Sequence, residues 1–301
     1  MGEASKPLSS LRWIKAKMNL RRLNLEPYFL LLPSTLYLVL FFAWPMIQAL
    51  GLAFQTDDGQ FTLSYLQRMF NDAAFSQAII TTLKLILLII PIQFLLALIM
   101  ALLLMERLRG SDIFVYIYVI PLAISDLAAG IIWFSIFTQS GYLNSLLTTL
   151  GLIDKPFLFL NYQTPWPLIA IVLAEVWRAT SIVFVILVAG VQSIPRDYIE
   201  AAEVFGANYY QRVRRVILPM LRPSIQVALI LRTLLAVQVF AVVLALAGRG
   251  VKVLAAEAYR WHGEYRNPHM AAAYAMFILI ISLATAAIYL RALRTTEQRV
   301  L

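Results

Sequence analysis

Long apolar runs recur along the whole chain, and they constrain its fold more than any other feature. About 20 apolar residues cross the hydrocarbon core of a bilayer as a helix. Hydrophobic residues make up 61% of the chain, above the roughly 45–50% of soluble domains. We therefore predict an all-α polytopic membrane protein with six transmembrane helices. The predicted spans are residues 28–54, 78–105, 113–137, 166–192, 223–248 and 270–290.

Positive charges are distributed unevenly among the segments that flank these spans. Sixteen of the 25 Lys and Arg residues fall in the two termini and in the second-to-third and fourth-to-fifth connections, and six fall in the other connections. Because cytoplasmic segments carry the excess of Lys and Arg, we predict that both termini are cytoplasmic. The chain then comprises a basic cytoplasmic segment, residues 1–27, and a six-helix domain, residues 28–301, that crosses the cytoplasmic (inner) membrane several times.

Several kinds of function are excluded by residue types that are missing or rare. The chain has no cysteine and only two histidines, so thiolate metal sites, cysteine nucleophiles and histidine-rich metal sites are excluded. It has no phosphate-loop motif. We therefore predict that it is not an enzyme and binds no cofactor itself. Membrane topology explains the net charge of +9, so nucleic acid is not an expected partner.

The connection between the fourth and fifth spans, residues 193–222, is unusually long and contains two predicted short helices. For the first helix, Ser193 is a candidate N-cap, and Pro195 suits the first turn. Asp197 and Glu200 suit the positive end of its dipole. Gly206 ends the helix because glycine readily adopts positive φ. One small apolar face is shared by Tyr198, Ala201, Ala202 and Phe205.

The second predicted helix of this connection is basic. It carries Arg212, Arg214 and Arg215 towards lipid headgroups. It is expected to stop before Pro219, because proline cannot donate the backbone hydrogen bond that a continuing helix requires. Membrane lipid is therefore an expected partner of this segment.

The same connection carries the motif Glu200-Ala-Ala-x-x-x-Gly206-Ala207, with Leu218-Pro219 beginning twelve residues beyond the glycine. This motif resembles the EAA signature of permease subunits of binding-protein-dependent ABC importers. The preceding Gln192-Ser-Ile-Pro195 and the fourth-span segment Glu175-Val-Trp177-Arg178 are similar to the carbohydrate branch, which takes in maltose, trehalose and glycerol-phosphate permeases. The resemblance implies a type I ABC importer-like fold.

In that family the motif forms a coupling helix that docks in a cleft of the cytoplasmic ATPase. The resemblance therefore implies that ATP and Mg²⁺ bind to a partner ATPase dimer and not to this chain. Phe205 is a departure, because the family usually has an acidic residue there. The residues implied in coupling are Tyr198, Glu200, Ala201, Ala202, Phe205, Gly206 and Ala207.

Ionisable residues deep inside the predicted spans are candidates for a solute pathway, because charge at that depth is costly and usually functional. Asp126 lies in the middle of the third span, where a local break after Pro121 could expose it to a cavity; pore and structural roles both stay open. Glu175 and Arg178 are three residues apart and share a helix face. Arg232 lies about ten residues into the fifth span.

The resemblance places the translocation pathway of carbohydrate permeases along these parts of the fourth and fifth spans. Polar groups beside an aromatic platform suit a neutral polar solute. The alternative is a purely structural ion network of Glu175, Arg178 and Arg232. The predicted pathway residues are Asp126, Glu175, Trp177, Arg178, Ala179, Ile182, Arg232, Leu235, Ala236 and Val239.

These features together predict one half of the membrane channel of an ATP-driven importer that moves a sugar or sugar-like solute into the cytoplasm by alternating access. The implied partners are a second permease subunit (usually a different chain), the ATPase dimer and an extracytoplasmic solute-binding protein. The connections 56–77, 138–165 and 249–269 are long enough to contact that protein, although their aromatic residues also suit interfacial anchoring. The alternative is an ion-gradient-driven secondary transporter, which would require inverted repeats that we do not find.

Overall fold

The structure is a computed structural model that describes residues 26–106 and 110–292. Most of the predicted basic segment 1–27 lies outside these residues, as do Arg107 and Arg109 of the second-to-third connection and the last nine residues. The helices in order are α1 Glu26–Leu38, α2 Trp44–Gly51, α3 Ser64–Asn71, α4 Ala73–Met105, α5 Ser111–Val119, α6 Asp126–Phe137, α7 Tyr142–Thr149, α8 Trp166–Gln192, α9 Arg196–Val204, α10 Tyr209–Arg212, α11 Leu218–Val237, α12 Ala241–Ala247, α13 Leu254–Gly263 and α14 Pro268–Ala292.

The chain divides into two units after Gly51. In the first unit, a π-helical turn, Val39–Ala43, joins α1 to α2. Large apolar side chains cover its surface, and Phe29 and Leu30 are 71% and 81% exposed. A helix with an apolar surface of this kind is stable in lipid and not in water.

The second unit contains four long apolar helices: α4, α8, the continuous helix Tyr209–Val237 and α14. With the run Tyr28–Phe54, five helices in the described part of the chain are long and apolar enough to cross a membrane. A sixth crossing is present only if the bent pair Ser111–Ala123 and Asp126–Thr149 counts as one span. The all-helical architecture is therefore confirmed, and the number of crossings is five or six.

The third predicted span, 113–137, is not one helix. Its first part, α5, continues as a tight 3₁₀ turn, Ile120–Ala123, and α6 starts afresh at Asp126 after a bend of 102°. The Ser125 hydroxyl accepts a hydrogen bond from the Ala128 N–H and so caps the new helix. Pro121 lacks a donor for the preceding helix, and the serine stabilises a fresh start. Asp126 consequently lies at a helix start and not in the middle of a helix.

The fifth predicted span, 223–248, also differs from the structure. Its helix begins at Tyr209, ends at Val237 and resumes only as α12. The basic helix of the preceding connection does not stop before Pro219, as predicted, but continues through a π-helical turn, Val213–Ile217, into α11. The wider π turn lets the helix pass the proline, and turns of this kind often mark functional sites.

The core of the second unit lies where α4, α8 and α11 pack on one another. Close approach is possible because glycine lies at two contacts, which is common where helices associate in membranes. A Cβ on Gly130 of α6 would lie 2.6 Å from the Cβ of Ala245 on α12. Gly190 of α8 likewise has no room for a Cβ beside Ser224 of α11. The first contact joins α6, which carries Asp126, to α12, and the second joins α8 to α11, which carry Glu175 and Arg232.

Candidate functional site

The ionisable residues predicted inside the spans form one continuous chain. Arg178 Nη1 lies 2.8 Å from Asp126 Oδ1, and its Nη2 lies 3.6 Å from Glu175 Oε1. Glu175 Oε2 in turn accepts a hydrogen bond from Arg232 Nη2 at 2.7 Å. We call Asp126, Arg178, Glu175 and Arg232 the buried charge chain. It joins α6, α8 and α11, and its two carboxylates balance its two guanidinium groups.

Gln93 completes this chain, although the sequence analysis did not select it. Its side-chain NH₂ donates to the main-chain carbonyl of Glu175 at 2.8 Å, and its Oε1 accepts from Arg232 Nε at 2.6 Å. Gln93 is fully buried in α4. The Gln93 amide therefore supplies the acceptor for the buried Arg232 Nε and adds a second hydrogen bond to a carbonyl that already belongs to the α8 ladder. Without it the Arg232 Nε would be buried with no acceptor, which would destabilise the fold.

Exposure increases along the chain from one end to the other. The side chains of Arg232 and Glu175 are 1% exposed, that of Arg178 is 12% exposed and that of Asp126 is 51% exposed. The Arg232–Glu175 end is therefore shielded within the helix bundle, whereas the Asp126–Arg178 end is the more exposed part of the chain.

Two polar atoms in the middle of the chain have no hydrogen-bond partner among the described residues. They are Glu175 Oε1, an acceptor, and Arg178 Nε, a donor, and both are buried. Buried polar atoms normally find a partner. A hydroxyl group can donate to the first atom and accept from the second, so this point of the chain suits a group that does both.

The remaining predicted pathway residues fall into an exposed group and a buried group. Trp177 and Leu235 are 37% and 42% exposed, and Ile182 is partly exposed. Trp177 packs edge-on against Trp133, with ring centroids 6.1 Å apart. Buried members of the predicted set are Glu175, Ala179, Arg232, Ala236 and Val239. The structure thus brings the four charged residues together and leaves three of the apolar ones accessible.

The long connection folds into α9 and the start of the following helix, as predicted, with one correction at its beginning. Ser193 does not cap α9, because its hydroxyl donates to the Gly190 carbonyl at the end of α8. Pro195 occupies the cap position. At the other end Gly206 has a φ of +76°, and its N–H and that of Ala207 donate to the carbonyls of Glu203 and Ala202. This is the Schellman termination that glycine favours.

The end of α9 presents two bulky apolar side chains to solvent. Val204 is 86% exposed and Phe205 is 90% exposed; we call this pair the apolar tip. Tyr198 on the same helix is 56% exposed. Exposed apolar groups in one place mark surfaces that contact a partner. The sequence analysis selected Phe205 but missed Val204, which lies beside the predicted face.

The other predicted coupling residues lie near this tip. Glu200 and Ala201 are exposed, and Ala202 and Ala207 are partly exposed. Glu200 lines a cavity of about 540 Å³ between α9 and the ends of α4 and α8. Glu203 of α9 forms an ion pair with Arg212 of α10. This pair ties α9 to the helix that carries Arg232.

A second chain of charges lies outside the long spans, around α13. Arg260 binds Glu257 at 2.8 Å and lies 3.7 Å from Glu264, which also lies 3.2 Å from Arg249. We call these four residues the peripheral charge chain. Burial raises the pKa of Glu257, and the neighbouring Arg260 opposes this shift. Within residues 26–106 and 110–292, no cluster of three His, Cys, Asp or Glu side chains could hold a metal ion.

Comparison with known proteins identifies relatives over most of the chain. Residues 93–298 match the family described as the binding-protein-dependent transport system inner membrane component. The trehalose/maltose transport system permease protein of Thermococcus litoralis is 36% identical over 54% of this chain and 54% of its own length. The trehalose transport system permease protein of Mycobacterium tuberculosis is 32% identical over 73% of this chain and 69% of its own. The chain thus spans about half the length of the first relative.

Solved structures support the fold. A bacterial ABC transporter involved in the import of the acidic polysaccharide alginate contains a chain that matches with a TM-score of 0.77 at 22% identity. The match covers 94% of this chain and 98% of that one. The same transporter type, in complex with alginate pentasaccharide-bound periplasmic protein, matches with a TM-score of 0.77 at 24% identity. At these identities the likeness establishes the fold only.

Proposed function

Because the chain belongs to the family of binding-protein-dependent transport system inner membrane components, we propose that it is a membrane-spanning permease subunit of an ATP-driven importer. It moves a sugar or sugar-like solute into the cytoplasm by alternating access and does no chemistry itself. Relatives named for trehalose and maltose transport support this solute class. The observation that carries the proposal is the buried charge chain, which crosses three packed helices and has one accessible end.

The accessible end of this chain suits a polyhydroxyl solute. Asp126 accepts hydrogen bonds and Arg178 donates them, so together they can bind adjacent hydroxyl groups. Glu175 Oε1 and Arg178 Nε are buried in this structure, and a change of access state that uncovers them would let a solute hydroxyl supply the partner that each atom lacks. Trp177 adds an aromatic surface beside them. Arg232 and Gln93 hold Glu175 in place and do not contact solute.

The apolar tip of α9 is the surface for the ATPase in this proposal. Both chain termini and α9 lie on the cytoplasmic side, as the excess of Lys and Arg there favours. A partner ATPase dimer binds ATP and Mg²⁺, and Val204 and Phe205 enter an apolar part of its cleft. Their exposure of 86% and 90% supports this contact, because side chains of this kind bind best when fully desolvated.

Two further partners complete the importer. A second permease subunit forms the other half of the channel, and an extracytoplasmic solute-binding protein delivers the solute to the opposite side. The family description, which makes transport binding-protein-dependent, supports the second of these. The periplasmic protein bound in a solved relative of this fold supports it as well.

Uptake by reconstituted vesicles tests the proposal. The chain, its co-purifying subunits and the binding protein are assayed for ATP-dependent uptake of labelled trehalose, maltose and glycerol 3-phosphate. Uptake should stop when the ATPase subunit cannot hydrolyse ATP. Uptake that persists there and follows an ion gradient would instead establish a secondary transporter.

Substitution of Phe205→Asp tests the surface for the ATPase. We expect solute-stimulated ATP hydrolysis to fall roughly tenfold or more, because a charge replaces a desolvated apolar contact. Phe205→Leu is the matched control, since leucine keeps a large apolar side chain at the same 90% exposed position, and it should retain most of the stimulated activity. Equal activity in the two variants would show that α9 does not contact the ATPase through this tip.

A further inference from the structure

A second cavity lies beside α10 and shares no residue with the apolar tip or the buried charge chain. Its volume is about 420 Å³, which is within the range of small-ligand sites. The five residues that line it are Asn208, Tyr210, Gln211, Arg214 and Arg215. None of them is a carboxylate.

Both arginines of this cavity have guanidinium groups available to a ligand. In the described parts of the chain, no carboxylate oxygen lies within 4.0 Å of Arg214 or Arg215. Arg212, two residues earlier, differs because Glu203 neutralises it. Two adjacent and uncompensated positive charges therefore line one side of the cavity.

The two amide side chains present only donors to the cavity. Asn208 Oδ1 accepts the Gln211 N–H at 2.9 Å, and Gln211 Oε1 accepts the Asn208 N–H at 2.9 Å. This reciprocal capping box uses both side-chain oxygens. It also fixes the orientation of both amides, since only an oxygen can accept from a backbone N–H. What remains on each side chain is an NH₂ group.

Tyr210 also offers a hydrogen-bond donor to the cavity. Its hydroxyl oxygen accepts a hydrogen bond from Arg214 Nη1 at 3.3 Å, and its hydrogen remains free to donate. The polar groups that the cavity offers are thus two guanidinium groups, two NH₂ groups and one O–H. A group that accepts several hydrogen bonds and carries negative charge is the matching ligand.

We propose that this cavity binds a phosphate group, supplied by the headgroup of an anionic phospholipid. The position of the cavity favours lipid over a soluble phosphate compound. The same helix continues into the bundle, and Val227 and Leu231 are 56% and 40% exposed on its surface. Apolar side chains there face lipid, which places Arg214 and Arg215 about three to five turns away, near headgroup level. The site does not depend on which solute is imported.

Retention of phospholipid by the purified protein tests this site. The chain is reconstituted with its co-purifying subunits in vesicles of phosphatidylcholine and phosphatidylglycerol at 3:1, extracted in mild detergent, and examined by native mass spectrometry. The wild type should retain phosphatidylglycerol. The double variant Arg214→Gln/Arg215→Gln should retain it roughly thirtyfold less well, as expected for the loss of two basic contacts at a membrane surface.

The matched control is Arg196→Gln/Arg222→Gln, which removes two exposed arginines from the same part of the chain but not from the cavity. It should retain phosphatidylglycerol like the wild type. Equal loss of phosphatidylglycerol in both double variants would overturn the site and show that general surface charge holds the lipid. Undiminished retention by Arg214→Gln/Arg215→Gln would also overturn it. If the glutamine variant does not fold, Arg214→Lys/Arg215→Lys keeps the charge. Lysine lacks the planar fork of arginine, so that variant should show an intermediate loss, and unchanged retention would count against the site.

A second experiment distinguishes a soluble phosphate compound from a lipid headgroup as the ligand. Inorganic phosphate and glycerol 3-phosphate are titrated into delipidated protein, and thermal unfolding is followed. Stabilisation that depends on Arg214 and Arg215, without retained phosphatidylglycerol, would keep the phosphate site but overturn the lipid as its source. Uptake assays are not part of this readout, so failure here leaves the proposed import function intact.

Discussion

Two chains of charge in this protein share a pattern of two carboxylates and two arginines, and they differ in the exposure of the arginine at the end of each chain. The buried chain runs Asp126–Arg178–Glu175–Arg232, and the peripheral chain runs Glu257–Arg260–Glu264–Arg249. Each alternates two carboxylates with two arginines, and each has one longer contact, at 3.6 Å and 3.7 Å. Their chemistry is therefore matched closely enough for position alone to be compared.

Position differs in two respects. The members of the peripheral chain all lie between residues 249 and 264, whereas those of the buried chain come from three helices that are distant in sequence. The Arg249 side chain is 74% exposed, and the Arg232 side chain is 1% exposed. Solvent screens the first arginine, while the second depends on its protein partners for all of its solvation. We therefore expect the exposed pair of Arg249 to contribute little to stability and the buried pair of Arg232 to be costly to break.

Arg232→Met should show the largest effect. Removing the arginine leaves the Glu175 carboxylate buried without its strongest partner, which typically destabilises a fold by about 3–5 kcal/mol. Thermal unfolding in detergent of this variant and of Arg249→Met would measure the contrast. Adding Glu175→Gln to Arg232→Met should recover part of the loss, because the uncompensated charge disappears. Similar effects at both arginines would show that burial does not distinguish the two chains.

Gln93→Leu should be the next most damaging change. The variant leaves Arg232 Nε without an acceptor, and an unsatisfied buried group costs about 1–3 kcal/mol. Gln238→Leu is a suitable control, because Gln238 is exposed. Thermal unfolding in detergent measures the stability of both variants. Equal stability of the two would show that the Gln93 amide does not support the buried charge chain.

Asp126→Asn compares the exposed end of the buried charge chain with its buried end. Asp126 is 51% exposed, so we expect a stability loss of less than about 1 kcal/mol. If the accessible end binds solute, ATP-dependent uptake should fall several-fold while the folded protein persists. A variant that loses stability in proportion to uptake would assign Asp126 a structural role.

Arg249→Gln should have the smallest effect. It removes the most exposed member of the peripheral chain, and surface substitutions of this kind usually change stability by less than about 0.5 kcal/mol. Unfolding and uptake should both match the wild type. A clear loss of uptake with normal stability would instead indicate that this region contacts a partner.

The sequence predicted part of the candidate site because some of its geometry is local. Glu175 and Arg178 share a helix face by their spacing of three residues, and Gly206 adopts the positive φ that its position after a helix favours. The meeting of Arg232 with Glu175 is not local, since it depends on how α8 and α11 pack. Gln93 was missed for the same reason, although an amide within an apolar span is itself a signal.

The breaks in the third and fifth predicted spans differ in how far the sequence could predict them. The third span contains Pro121, which cannot donate, and Ser125, which can cap, so the sequence carries a reason for its break. Between Val237 and Ala241 there is neither proline nor glycine. The break there accompanies the packing of α12 against Gly130 of α6, a tertiary contact that hydropathy does not reveal.

The unbroken helix Tyr209–Val237 has a mechanical consequence. About 23 residues separate its first residue from Arg232, a length of about 34 Å at 1.5 Å per residue. A tilt of about 5° at the Tyr209 end would move a point at that distance by about 3 Å, which is the length of a hydrogen bond. The helix can therefore act as a lever: if it turns as one body, a rotation of that size at the end held by the Glu203–Arg212 pair lengthens the Arg232–Glu175 contact by the length of a hydrogen bond.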